Sequence, residues 1–181
     1  MILAFTGAGI SKESGISTFM ERPDVRDRLH RQFAIENPVV YRETIKKMSE
    51  EIRSKEPNDA HYALADFNIP IITMNIDNLH EKAGSSPLLL HGQLPSVEEY
   101  EIADTLYNKP VLYGDPAPNY YKAYQKVMEL GEGDTLLIIG DSNFTGIAVD
   151  LREIAREQGV SIIEIQENAS QEVRRVLEKI K

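Results

Sequence analysis

The stretch Phe5–Phe19, FTGAGISKESGISTF, sets a glycine-rich turn directly behind a short apolar run at Met1–Phe5. The run reads as a buried strand closed by Thr6, and Gly7 and Gly9 supply a turn without Cβ atoms in which backbone amides can converge on an anion. A nucleotide is the ligand such a turn suits. A strand followed by Gly-x-Gly is also plain turn chemistry in many α/β domains, and the local pattern alone leaves that reading open. The dinucleotide fingerprint G-x-G-x-x-G is not met, because Lys12 takes the third glycine position and the next glycine is Gly15. The phosphate-loop pattern of nucleoside triphosphatases is not met either. What remains is a longer loop with Ser11 and Ser14 as hydroxyl donors, followed by the apolar pair Ile16 and Phe19.

Further along, Ile71–Gly84 (IITMNIDNLHEKAG) again runs from an apolar strand through polar residues toward a helix, with Asn75 and Asp77 at the strand's carboxyl end. A third run, Pro87–Leu90, ends in His91-Gly92. In open parallel sheets the carboxyl edge is where ligands bind, so the topology would deliver a glycine loop, an Asn/Asp pair and a histidine to one crevice. Each has a plainer reading: Asn75 and Asp77 as helix caps, His91 as a turn residue, Ser11 and Ser14 as caps of a loop without a ligand. Six apolar runs, near 2–6, 69–74, 87–91, 110–114, 135–140 and 160–165, predict a parallel sheet with helices between the strands. Tyr41, Ile45, Met48 and Ile52 repeat at helical spacing, as do Ile147, Leu151, Ile154 and Ala155, and then Val173, Val176, Leu177 and Ile180. These stripes are read as core. Asn58 behind Pro57 is expected to cap a helix, and Asn168 with Gln171 to cap the last one.

With these residues together, the chain resembles the sirtuins, NAD-dependent protein deacylases. The matching motifs are Gly7-Ala8-Gly9-Ile10-Ser11 through Phe19, Pro57-Asn58-Asp59-Ala60-His61, Thr73 through Gly84, Leu90-His91-Gly92, Pro110 through Asp115, Leu136 through Ser142 and Ile162 through Gln166, in family order over nearly the whole chain. The resemblance implies a Rossmann-like fold, here an α/β domain over 1–181 with a six-stranded parallel sheet, helices on both faces and a reduced, zinc-free small lobe. Residues 20–57 and 92–109 would be the inserted cofactor-loop and small-lobe segments.

It also implies NAD as the cofactor and an acylated lysine peptide or protein as the partner. The acyl group would pass to ADP-ribose with release of nicotinamide. By the resemblance the diphosphate lies on the amides of Ala8 and Gly9 beside Gly7, with Ser142 near the phosphate or ribose and Ser11, Phe19, Gly140 and Gln166 completing the cofactor site. Ser14, Ile16, Asn75, Ile76 and Asp77 would hold the nicotinamide carboxamide. His91 would be the general base on a ribose hydroxyl, a task that suits an imidazole with an ordinary pKa of about 6.5. Val111, Tyr113 and Gly114 would pair with an extended peptide by strand addition. Met20, Met74 and Asp141 stand where the family pattern has arginine, glutamine and threonine, and Asp141 is expected to put negative charge near the diphosphate. An NAD glycohydrolase, an ADP-ribosyltransferase and a non-catalytic nucleotide-binding module are the alternative readings.

The 181 residues suffice for one substantial core, and the formal charge of −9 argues against binding nucleic-acid backbone while weakly favouring basic protein segments as partners. No apolar run approaches the roughly 20 residues needed to cross a bilayer, so the expectation is a cytoplasmic protein without membrane contact. The chain has no cysteine, whereas sirtuins usually carry four that hold a structural zinc; no metal site is expected, and Ser96–Tyr107 reads as one helix in the place of a zinc ribbon. The polar segment Met20–Pro38 is read either as a cofactor loop or as a surface helix over Asp24–Phe33.

Overall fold

A computed structural model of the chain describes residues 1–17, 22–141 and 145–181. Phe19, Met20 and Ser142 lie outside the described residues. β1 (Ile2–Thr6) is followed by a 3₁₀ helix (Ala8–Ser14), then α1 (Pro23–Asp27), α2 (Arg31–Glu36), α3 (Pro38–Arg53) and α4 (Asp59–Asp66). β2 (Ile71–Thr73), α5 (Leu79–Lys82), β3 (Leu88–Leu89) and a second 3₁₀ helix (Val97–Thr105) come next. The chain ends with α6 (Tyr120–Met128), β4 (Thr135–Ile139), α7 (Gly146–Glu157), β5 (Ser161–Ile165) and α8 (Ala169–Ile180).

The strands form one parallel sheet in the order β3-β2-β1-β4-β5. The inner strands β1, β2 and β4 are nearly continuous apolar runs because both of their faces are covered, whereas the edge strand β5 exposes Ser161 and Glu164. Alternation along each strand then sends side chains to opposite sides. Leu3, Phe5, Leu136 and Ile138 pack with Ala123, Val127, Ile147 and Leu151 of α6 and α7. Ala4, Leu137 and Ile139 pack with Ala63, Leu64, Val173 and Leu177 of α4 and α8. From β1 the chain first builds outward through β2 and β3, then returns to β4 on the other side. The carboxyl ends of β1 and β4 therefore mark the topological switch point, the place at which open parallel sheets bind ligands.

The expected sixth strand is not formed; the sheet has five. The run 110–114 has other uses for its backbone: Pro110 has no N–H, the Leu112 amide donates to the Asp115 carboxylate at 3.1 Å, and Tyr113 exchanges hydrogen bonds with Leu29 and Arg31, each at 2.9 Å. Only the Val111 amide turns toward the sheet, donating to the His91 carbonyl at 2.8 Å. The segment is thus a tie between the sheet edge and the helices of α1 to α3.

Those helices form a separate small core in which Val25, Leu29, Ala34, Tyr41, Ile45 and Met48 pack with Ile76, Ala103 and Leu112. The expected helix over Asp24–Phe33 is broken into α1 and α2, and the one expected over Ser96–Tyr107 is the 3₁₀ helix Val97–Thr105, opened by a Ser96/Glu99 capping box. Arg31 is the pin of this lobe. Its guanidinium grips Asp115 with two bonds of 2.7 Å and donates to the carbonyls of Asp104 and Leu106 at 2.9 and 2.8 Å, which joins α2, the 3₁₀ helix and the 110–114 segment. Among the described residues, no group of three or more His, Asp or Glu side chains is arranged to hold a metal ion, and no helix is long and apolar enough to cross a membrane.

The expected caps divide. Asn58 accepts from the Ala60 amide at 2.9 Å at the start of α4, whereas Asn168 sits at φ 53° and makes no side-chain cap bond to α8.

Candidate functional site

The glycine loop and the end of β4 interlock. The Gly7 amide donates to the Ile139 carbonyl and the Gly9 amide to the Gly140 carbonyl, both at 2.9 Å. A Cβ on Gly7 would stand 2.6 Å from the Gly140 oxygen, one on Gly9 would stand 2.6 Å from the Gly140 Cα, and one on Gly140, at φ 64°, would stand 2.3 Å from the Ile10 nitrogen. The three glycines are therefore required by close packing of two backbones, independently of any ligand. Of the two amides expected to face a diphosphate, that of Gly9 already donates within the protein; that of Ala8 makes no backbone hydrogen bond among the described residues.

Hydrogen bonds stitch this loop to the segment after β2. The Asn75 amide group donates to the Gly7 carbonyl at 3.0 Å, which fixes its orientation and leaves Oδ1 as an acceptor without a bond among the described residues. Ser11 donates to Asp77 Oδ2 at 2.5 Å, while Asp77 Oδ1 accepts from the Leu79 amide at 3.1 Å. Asp77 thus both caps α5 and anchors the glycine loop. Burial pushes its carboxyl above the ordinary range, partly offset by the Ser11 bond. Ile76, between Asn75 and Asp77, is buried against the small lobe, and Ser14 is held by Asn58 Nδ2 at 3.0 Å. Ile16 lies half-buried after the loop, its amide on the Ser11 carbonyl at 3.3 Å.

Two buried histidines back this arrangement. His61 Nδ1 accepts from the Asn58 amide at 3.2 Å, so its proton is on Nε2, which points at Ser11 Oγ at 3.4 Å. A relay of donors runs from Asn58 through His61 and Ser11 to Asp77. His80 Nε2 lies 2.9 Å from Thr6 Oγ1, which donates to Thr73 Oγ1 at 2.8 Å. Burial pushes His61 down to about 4 and His80 to about 3. The unfolded chain binds protons at both near pH 6.5, so their contribution to stability is complete above that pH and is lost as pH falls toward the folded values. Between pH 7 and 5 each histidine should cost about 2 kcal/mol, and the melting temperature should fall by roughly 5 to 15 °C. Asp77 opposes this, since burial favours its protonated form. A melting temperature that stays flat from pH 7 to 5 in thermal unfolding would contradict the assignment of both imidazoles as buried and neutral.

His91 follows β3 and is half-buried. Its Nδ1 lies 3.1 Å from the Met74 carbonyl, which can only accept, so Nδ1 carries the proton and Nε2 the lone pair. Tyr120, at the start of α6, places its hydroxyl 2.7 Å from that Nε2. Burial holds the imidazole below its ordinary value. The result is a neutral base of fixed tautomer, one residue by hydrogen bond from Asn75.

On the other side of the crevice, the charge of Asp141 is matched. Arg152 of α7, itself buried, donates to Asp141 Oδ2 and to Glu164 Oε1, both at 2.7 Å. The uncompensated negative charge expected beside a diphosphate is thus met by an arginine that the motif reading passed over. Its signal was present, since Arg152 sits on the same face of α7 as Ala148 and Ala155, where a charge needs a partner. Gln166 extends the chain of contacts, donating to Glu164 at 3.1 Å from an exposed position beyond β5.

The structure therefore brings Gly7, Gly9, Gly140, Ser11, Ser14, Asn75, Ile76, Asp77 and His91 together. Gln166 joins through Glu164 and Arg152. In the expected peptide edge, Val111 and Tyr113 already use backbone groups internally, while exposed Gly114, at φ 94°, makes no backbone hydrogen bond among the described residues. Tyr120, Arg152 and the His61 relay were not singled out from sequence.

A Sir2 family model matches residues 7–108. The chain is 31% identical to the NAD-dependent protein deacylase of Thermococcus sibiricus over 93% of its own length and 81% of that protein's, and 31% identical to NAD-dependent protein deacylase 2 of Archaeoglobus fulgidus over 89% and 78%. Among solved structures, it superposes on a Sir2 homolog–NAD complex with a TM-score of 0.82 at 23% identity, covering 99% of this chain and 88% of that one. It also superposes on Sir2Tm bound to a propionylated peptide with a TM-score of 0.79 at 22% identity, covering 99% and 92%.

Proposed function

The chain belongs to the Sir2 family, and on that premise we propose that it is an NAD-dependent protein lysine deacylase in which His91, Asn75 and Asp77 carry the chemistry. The observation that supports this most strongly is the single hydrogen-bonded assembly that ties the glycine loop, the Asn75–Asp77 segment and His91 to the sheet's switch point. When bound, NAD would supply a glycosidic bond whose cleavage releases nicotinamide and exposes a sugar carbon to the acyl oxygen. The Ala8 amide, which makes no backbone hydrogen bond among the described residues, offers an anion a donor, and Asn75 Oδ1 offers a primary amide an acceptor. The residues present fit the dinucleotide on these grounds.

The roles of the protein's own groups follow from their fixed geometry. Asn75 Oδ1 can accept from a primary amide, and buried Asp77 sets the position of that segment through Ser11 and Leu79. His91, neutral and protonated on Nδ1, presents its basic nitrogen to the Tyr120 hydroxyl at the start of α6 and is the final acceptor of the proton that a sugar hydroxyl gives up. Arg152, shared between Asp141 and Glu164, offsets one of the two carboxylate charges on the β4 side and so reduces the repulsion that Asp141 would give an anionic ligand. In this reading the acyl-lysine segment would lie against Val111, Tyr113 and Gly114, of which Gly114 makes no backbone hydrogen bond among the described residues. Ser142 and Phe19 complete the cofactor contacts in this proposal, as do Ser14, Ile16, Ile76 and Gln166. Residues 1–181 act as one domain, with 20–57 and 92–109 as its cofactor-loop and small-lobe segments.

Nicotinamide release from NAD by the purified protein, followed with and without an acetyl-lysine peptide, tests this function. Release that depends on the peptide is expected. Equal release without peptide would replace the deacylase by an NAD glycohydrolase, and no release in either case would leave a non-catalytic module.

A further inference from the structure

The lone pair that His91 needs as a base is already engaged, because the Tyr120 hydroxyl lies 2.7 Å from Nε2 and Nδ1–H is committed to the Met74 carbonyl. Either Tyr120 must leave or the proton must pass through it. Several features hold Tyr120 in place. Its ring packs against the core formed by Leu3, Phe5, Leu136 and their neighbours. The preceding residue, Asn119, donates its side-chain amide to the Leu89 carbonyl at 2.8 Å, which fixes the start of α6 to the end of β3 two residues before His91. A phenol that donates its O–H still has oxygen lone pairs free to accept a second hydrogen bond.

We propose that Tyr120 is a catalytic proton relay between the reacting substrate hydroxyl and His91. The substrate hydroxyl donates to the phenolic oxygen; as its proton moves to that oxygen, the phenolic proton moves to His91 Nε2. The relay leaves the substrate oxygen as the nucleophile, Tyr120 neutral again and His91 as an imidazolium whose Nδ1–H remains on Met74. No proton or electron pair is unaccounted for, and the imidazolium returns its proton to solvent or product. Burial raises the Tyr120 phenol, which keeps it protonated in the resting state as the relay requires. This assignment rests on the reading of His91 as the base.

Tyr120→Phe keeps the packed ring and removes only the hydroxyl. It should lower the turnover of peptide deacylation by roughly 10- to 100-fold with little change in KM for NAD. The double variant Y120F/H91A should be no slower than H91A alone, because the two groups serve one transfer. Turnover unchanged in Y120F, or losses that multiply in the double variant, would overturn the relay while leaving the deacylase in place. The pair is also read without any reaction: in the free protein at neutral pH, the ¹⁵N resonance of His91 Nε2 should be that of an unprotonated, hydrogen-bonded nitrogen and should move in Y120F. An Nε2 that carries the proton, or a resonance that stays where it was, would overturn the proposal even if the protein deacylated nothing.

Discussion

Replacing His91 with alanine is expected to lower peptide deacylation by roughly 10²- to 10⁴-fold while leaving much of the nicotinamide-releasing step intact. The imidazole is placed for one kind of task. Its tautomer is fixed by the Met74 carbonyl, its lone pair faces Tyr120, and burial holds it below the ordinary histidine range, so it is neutral and basic at physiological pH. Removing it takes away the proton acceptor but leaves Asn75 on Gly7 and Asp77 on Ser11, the contacts that shape the other end of the crevice. The loss should therefore divide the reaction between steps, with nicotinamide exchange outlasting acyl transfer. Deacylation and exchange rates measured side by side in the variant check this. An unchanged deacylation rate would remove His91 from the role of base.

The second large effect is on stability. Arg152→Ala should destabilise the fold by about 3 to 5 kcal/mol, since it strips the guanidinium from a carboxylate that is itself buried. Asp141 and Arg152 side chains are 1% and 3% exposed, so water cannot take over the lost charge pairing. For a chain of this size the melting temperature should drop by roughly 6 to 20 °C. Replacing Asp141 and Arg152 together is a different matter, because the carboxylate that then loses its arginine, Glu164, has a side chain 32% exposed and is hydrated instead of stranded in the core. Asp141→Thr combined with Arg152→Met should recover at least half of the loss in a thermal melt. A single variant that melts with the parent protein would show that Asp141 does not depend on this partner.

How far the sequence revealed these features depended on whether the cause was local. β1 and the glycine turn were legible because an apolar run followed by Gly-Ala-Gly has few alternatives, β4 because the aliphatic run Leu136–Ile139 is buried throughout, and β5 because β-branched isoleucines recur along it. The Asn58 cap was legible for the same reason, as a short polar side chain directly ahead of a helical pattern. The run 110–114 had the composition of a strand but not its partners. Asp115, Leu29 and Arg31 claim its backbone, and those contacts span from 3 residues to 84 in sequence. The glycines were read as a phosphate cradle, yet at Gly7, Gly9 and Gly140 the absent Cβ is demanded by one backbone crossing another, which no local motif displays. Likewise Asp141 looked like stray charge until α7 brought Arg152 against it, and Tyr120 had no sequence mark because its meaning lies in a histidine 29 residues away.

Identifying by mass the product that carries the acyl group, after incubation of the protein with NAD and an acetyl-lysine peptide, tests the central claim most directly. Acetylated ADP-ribose, formed in step with free nicotinamide and deacetylated peptide, is the expected product. Peptide left acetylated while NAD is converted to ADP-ribose would contradict that claim.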